Sequence, residues 1–103
     1  MEEVVERKLA EVLPVGLSFP LPLAESLSFR GKKVNILLEI YEDVVVAYLA
    51  EDREFFAEGM TVRQAKSNLR ASLRDEYAFF MRHRADLSPE FTGKLSLLQG
   101  MFG

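Results

Sequence analysis

Apolar residues recur at every second position from Val34 to Ile40. Val34, Ile36, Leu38 and Ile40 alternate with Asn35, Leu37, Glu39 and Tyr41. A period of two predicts a strand with one strongly apolar face and one mixed face. Glu42-Asp43 predicts a tight turn. Val44 to Ala50 follows, with Val44, Val46 and Tyr48 on one side and Val45, Ala47 and Leu49 on the other. That density of β-branched residues predicts a second strand, apolar on both faces. Glu51-Asp52-Arg53-Glu54 is a polar turn, and Phe55 to Glu58 a third short strand. Gly59 marks its end and is expected to take a special backbone angle. Upstream, Ser26 to Phe29 predicts a further short strand, turned back by Arg30-Gly31-Lys32-Lys33.

After Thr61 the period changes. Val62, Ala65, Leu69, Leu73, Tyr77 and Phe80 are spaced by three and four residues, which predicts one apolar stripe on a helix of about twenty residues. Thr61-Val62-Arg63-Gln64 is a capping box for its start, and the helix is expected to fray near Arg84. Ser88-Pro89 opens a second helix, with Ser88 as cap and Pro89 at the first helical position. Leu95, Leu97, Leu98, Met101 and Phe102 give that helix an apolar surface.

The first 32 residues are less regular. Val5, Leu9, Val12 and Leu13 predict a short helix over 2–13, ended by Pro14. Residues 15–24 are Pro-rich and apolar, which suits an extended segment on a surface rather than a central strand. The whole is an α+β pattern: a three- to four-stranded antiparallel sheet packed on one long helix, with short N- and C-terminal helices. We expect one domain over 1–103, with its core at 33–84, an N-terminal helix and extended segment at 1–32, and a C-terminal helix at 86–103.

Composition narrows the chemistry. Of 103 residues, 49% are apolar, enough for an ordinary globular core, and the net charge is −3. There is no cysteine and a single histidine, so disulfides, thiolate nucleophiles and zinc-thiolate sites are excluded. The uncharged stretch from Val12 to Ala24 is shorter than the roughly 20 apolar residues of a membrane span and carries prolines. With no basic leader, a cytoplasmic setting without membrane association is expected. His83, flanked by Arg82 and Arg84, reads as an exposed imidazole near a helix C-terminus, where the dipole favours it. Glu39, Glu42, Asp43, Glu51, Asp52 and Glu54 cluster at hairpin turns, but without the spacing of a metal or acid–base site. No Gly-rich phosphate loop, serine elbow or zinc signature occurs. No catalytic, cofactor-binding or metal residues are assigned, and no cofactor is expected.

Two surfaces remain. Arg63, Lys66, Arg70 and Arg74 fall within a narrow arc of the long helix. They read first as its solvated back face, with nucleic-acid contact as the alternative. The second surface is apolar. One helix covers only one side of an antiparallel sheet, and the strand at 44–50 is greasy on both. Leu37, Tyr41, Val45, Ala47 and Leu49 are therefore candidates for an interface. The N-terminal helix, the C-terminal helix or a second subunit could cover them, and a homodimer or higher homo-oligomer is favoured.

The order hairpin, third strand, Gly59-Met60-Thr61, then a helix reading Gln64-Ala65 and Asn68-Leu69 with a later Tyr77, resembles the HicB-like antitoxin fold over residues of about 33–80. Gly59, Thr61, Ala65, Asn68 and Tyr77 match that family's pattern. The turn at 51–54 lacks the family's Pro- and Gly-containing loop, the N-terminal 30 residues are unlike it, and the stretch after Arg84 holds one helix rather than a helix-turn-helix. The resemblance implies a non-enzymatic interaction domain. A full antitoxin of that family covers the active site of a small RNase toxin, which makes such a toxin one candidate partner, while the family's stand-alone domains, to which this chain stands closer, have no established role. Operator binding is not part of what it implies here.

Overall fold

The computed structural model describes residues 21–103; the helix expected over 2–13 and the apolar segment up to residue 20 lie outside the described residues. Four strands, β1 (Leu21–Phe29), β2 (Lys32–Ile40), β3 (Val45–Leu49) and β4 (Phe56–Gly59), form an antiparallel meander in the order β1-β2-β3-β4. The long helix α1 (Val62–Arg82) follows, then a 3-10 turn at Arg84–Asp86 and the helix α2 (Pro89–Phe102). The fold class is α+β, as expected, and the sheet has four strands.

β1 is longer than expected. It begins at Leu21 and includes Pro22, which pairs with Glu39 of β2. A proline has no N–H for a ladder, and an edge strand is where that is tolerated. The β1–β2 connection is two residues long, because Phe29 pairs with Lys32. Arg30 has φ 52° and Gly31 φ 83°. Positive φ at both centres matches the twist of a two-residue hairpin. Lys32 and Lys33, expected in the turn, already belong to β2. At the next hairpin the Tyr41 amide donates to the Val44 carbonyl at 2.9 Å, closing the Glu42-Asp43 turn.

The register sorts the side chains. Leu23, Leu38, Ala47 and Ala57 are cross-strand partners, as are Leu21, Ile40, Val45 and Gly59. Those rows, with Ile36, Leu49, Leu27 and Phe29, face the helices. The core joins them to Ala65, Leu69, Leu73 and Phe80 of α1 and to Leu95, Leu98 and Met101 of α2. Both helices thus lie on one side of the sheet. Phe55, expected in the third strand, precedes it and is buried in this core.

Gly59 is needed for a different reason than a special angle. Its φ lies outside the left-handed region. A Cβ there would lie 2.8 Å from Gln64 C and 2.9 Å from Ala65 Cα, and closer still to Ala65 N. The glycine lets β4 touch the backbone of the first turn of α1. Asn68 Nδ2 donates to the Glu58 carbonyl at 2.8 Å and locks the same joint. Thr61 Oγ1 accepts from the Gln64 amide at 3.0 Å, while Gln64 Oε1 accepts from Met60 N–H, one residue earlier than an ordinary capping box. Ser88 Oγ likewise accepts from Phe91 N–H at 3.3 Å.

Candidate functional site

Three of the five interface candidates are core. Val45, Ala47 and Leu49 are 5%, 0% and 1% exposed and belong to the cluster under α1 and α2. The Glu42-Asp43 hairpin decides this. It pairs Ile40 with Val45 and Leu38 with Ala47, so the odd positions of β3 share the apolar face of β2. The sequence shows the turn, but the register it sets is seen only in the fold. Leu37 and Tyr41 stay on the opposite face, half-buried. The C-terminal helix is also removed as a cover for that face, since α2 lies beside α1.

The face opposite the helices has its own order. Ala24, Leu37, Tyr48 and Phe56 are consecutive cross-strand partners through all four strands. The neighbouring row is Pro22, Glu39, Val46 and Glu58. Phe56 is 50% exposed, its ring 6.0 Å from that of Tyr48. Glu39 ties the centre together. Its Oε1 accepts from the Tyr41 hydroxyl at 3.1 Å and the Tyr48 hydroxyl at 3.0 Å, and its Oε2 meets Arg53 at 2.9 Å. The Arg53 guanidinium lies 4.5 Å from the centre of the Tyr48 ring. Burial, then the hydrogen bond to Glu39 and its charge, push the Tyr48 hydroxyl above its ordinary pKa, and Arg53 opposes them in part. Sequence spacing marks Glu39 only as one acid among several. Its grouping with Tyr48 and Arg53 needs the β2–β3 register.

This cluster can orient and dock. A carboxylate held by two phenols and a guanidinium is a fixed polar anchor. Among the described residues no group of three or more His, Asp or Glu side chains is placed to hold a metal ion, and no helix is long and apolar enough to cross a membrane.

Two more of the turn acids, Asp52 and Glu54, hold α2. Lys94 of α2 meets Asp52 Oδ2 and Glu54 Oε1, each at 2.7 Å, and its ammonium lies 4.9 Å from the Phe55 ring centre. Burial pushes the Asp52 carboxyl up, but hydrogen bonds from Lys94 and the Glu54 amide and the Lys94 charge outweigh it, leaving it below the usual range. The hydrogen bond to Asp52, followed by that to Glu54, holds the Lys94 ammonium above its usual value. The acidic turn at 51–54 is thus a clamp for α2. His83 caps α1, its amide donating to the Phe79 and Phe80 carbonyls at 3.2 Å, with its exposed ring 4.5 Å from Phe79.

The basic stripe is divided. Lys66 Nζ pairs with Glu25 Oε1 of β1 at 3.0 Å. Arg63 is exposed at the start of α1. Arg70 and Arg74 line a groove of about 340 Å³ with Arg30, Phe29, Tyr77 and Phe102. The sequence shows no aromatic within the stripe; the fold brings three beside it. Arg30 lies forty positions before Arg70, and no local pattern links them.

No protein-family model matches the chain, no curated protein matches it in sequence, and no solved structure matches its fold.

Proposed function

We propose that this chain is a non-catalytic interaction domain that pairs with a second copy of itself through the sheet face opposite α1. One observation carries the reading: among the described residues the row Ala24, Leu37, Tyr48, Phe56 runs across every strand on the face opposite α1 and α2. Such a row supplies apolar area and aromatic anchors, the usual centre of an interface.

The test is the solution mass. Light scattering should give a dimer at micromolar concentration. Phe56→Asp combined with Leu37→Lys should give a monomer with an unchanged far-ultraviolet CD spectrum. A wild-type monomer, or a dimer that persists in the double variant, would refute the proposal.

The joint of Gly59, Thr61, Ala65 and Asn68 supports a second reading. These residues carry the HicB-like resemblance, and with it a small RNase toxin as partner. Co-expression with a small basic protein encoded beside this chain should then yield a complex that protects RNA from cleavage. Separate elution of the two proteins would sink that reading and leave the self-pairing proposal standing.

A further inference from the structure

We infer that the arginine-lined groove where the β1–β2 turn, α1 and the end of α2 meet binds the phosphates of a single-stranded nucleic acid. The groove lies on the helix side of the sheet, so this inference is independent of self-pairing through the other face.

The charge is concentrated and uncompensated. Arg30, Arg70 and Arg74 share one groove. Among the described residues the ion pairs are Arg53–Glu39, Lys66–Glu25 and Lys94 with Asp52 and Glu54, and none involves these three arginines. Among the described residues no carboxylate lines the groove; its remaining polar groups there are the hydroxyls of Ser28 and Tyr77. A guanidinium offers a planar fork of donors that matches phosphate oxygens in pairs. Lys66 meanwhile neutralises Glu25, so that carboxylate does not cancel the field of Arg70.

The shape favours a strand over a lone anion. A second hollow, lined by Val62, Arg63, Lys66, Ser67 and Arg70, adjoins the first and shares Arg70 with it. From Arg63 to Arg74 the helix rises about 17 Å at 1.5 Å per residue. A single phosphate occupies one end of such a track, while an extended polyanion occupies all of it. Two half-buried rings, Tyr77 and Phe102, border the groove, with buried Phe29 behind them. Tyr77 stacks on Phe102 with ring centres 5.1 Å apart, and Phe102 meets Phe29 at 5.0 Å. Arginine beside aromatic surface is the usual pairing for unstacked nucleotides. A duplex, whose phosphates sit on a stiff convex surface, does not enter a concavity between a turn and two helices.

Arg30 adds an independent sign. It is the one non-glycine among the described residues with positive φ. Asn, Asp or Gly takes that turn position with less strain. An arginine is held there at a conformational cost, and its side chain lines the groove.

The test is fluorescence anisotropy of a labelled pyrimidine oligonucleotide, in ribose and deoxyribose forms, added to the full chain at low ionic strength and then titrated with salt. Three neutralised phosphates predict a log–log salt slope of about −2. Arg70→Glu with Arg74→Glu should weaken binding at least tenfold, on the order of the loss expected from reversing two phosphate contacts. Because Arg70 also lies over Phe29, Arg74→Glu with Arg30→Asn is the second variant, built from exposed side chains. It should weaken binding while Arg30→Asn alone leaves the melting temperature equal or higher. Arg82→Glu, on α1 outside the groove, should bind as wild type. The inference is overturned by no anisotropy change at the lowest salt, by groove variants that bind as wild type, or by equal loss in Arg82→Glu. Equal affinity for a duplex, or displacement of the oligonucleotide by inorganic phosphate or a phosphopeptide at matched phosphate concentration, also overturns it.

Discussion

The same substitution, Gly→Ala, should have opposite signs at three positions of this chain. At Gly59 the new methyl would sit 2.8 Å from Gln64 C and 2.9 Å from Ala65 Cα. Those atoms are helix backbone, so no side chain can swing aside. Either β4 or the first turn of α1 must move, and the joint also holds the Asn68 bond to Glu58 and the Thr61 cap. Replacing glycine gains about 0.4–1 kcal/mol from the unfolded chain where the native angles allow it. Overpacking against rigid atoms costs about 1–3 kcal/mol, sometimes more. The clash wins, and Gly59→Ala should destabilise by about 2 kcal/mol. At Gly93 and Gly100, inside α2, an added Cβ meets nothing within 4 Å. There alanine should stabilise by about 0.5–1 kcal/mol each, the helix-propensity difference. Urea unfolding followed by CD reads all three. With a slope of about 1–2 kcal/mol per molar for a domain of this size, Gly59→Ala should lower the midpoint by about 1–2 M at unchanged slope. A Gly59→Ala variant as stable as wild type would show that the strand–helix contact yields easily. Loss of stability in both α2 variants would show that α2 does not lie as described.

Other expectations follow from the electrostatics. The Asp52 pKa is depressed in the folded chain, so its share of stability is present above the unfolded carboxylate value and is lost as pH falls through the lower folded value. The Lys94 pKa is raised, so its share is full below the unfolded lysine value and is lost as pH rises through the folded one. Lys94→Met, at a side chain only 12% exposed, should therefore cost about 1 kcal/mol at neutral pH and flatten the acid limb of a pH–stability curve measured by denaturant midpoints. An acid limb as steep as wild type would count against the clamp. Tyr48 should be a late tyrosine to ionise in an ultraviolet titration, and Arg53→Gln should delay it further by removing the guanidinium that opposes Glu39; an earlier ionisation in that variant would contradict the Glu39-centred network.

Much of the scaffold was legible because it depends on neighbours in sequence. The alternation from Val34 to Ile40, the stripe from Val62 to Phe80, the Thr61 cap and the Ser88-Pro89 start are each set within a turn or two of chain, and each forms as the spacing implies. The face of β3 was harder. Every position from Val44 to Leu49 is apolar or aromatic, so composition could not tell inside from outside. The two-residue turn at Glu42-Asp43 decides it by pairing Ile40 with Val45. Gly59 stands out in the sequence as the end of a strand, yet the sequence does not say that its role is close contact with Ala65 rather than a backbone angle.

The candidate surfaces depended on the third dimension. Glu39 meets Tyr48 and Arg53 only through strand register, and Lys94 reaches Asp52 across forty-two positions. Arg30 joins Arg70 and Arg74 because a hairpin tip comes to rest beside the middle of α1. By itself the sequence determined where β2, β3 and the helices α1 and α2 lie, since short-range periodicity and capping control backbone conformation, but not that β1 reaches back to Leu21, which depends on pairing with β2. Tertiary structure alone decided which charges and rings share a surface, because that follows from register and helix placement, which no local spacing encodes.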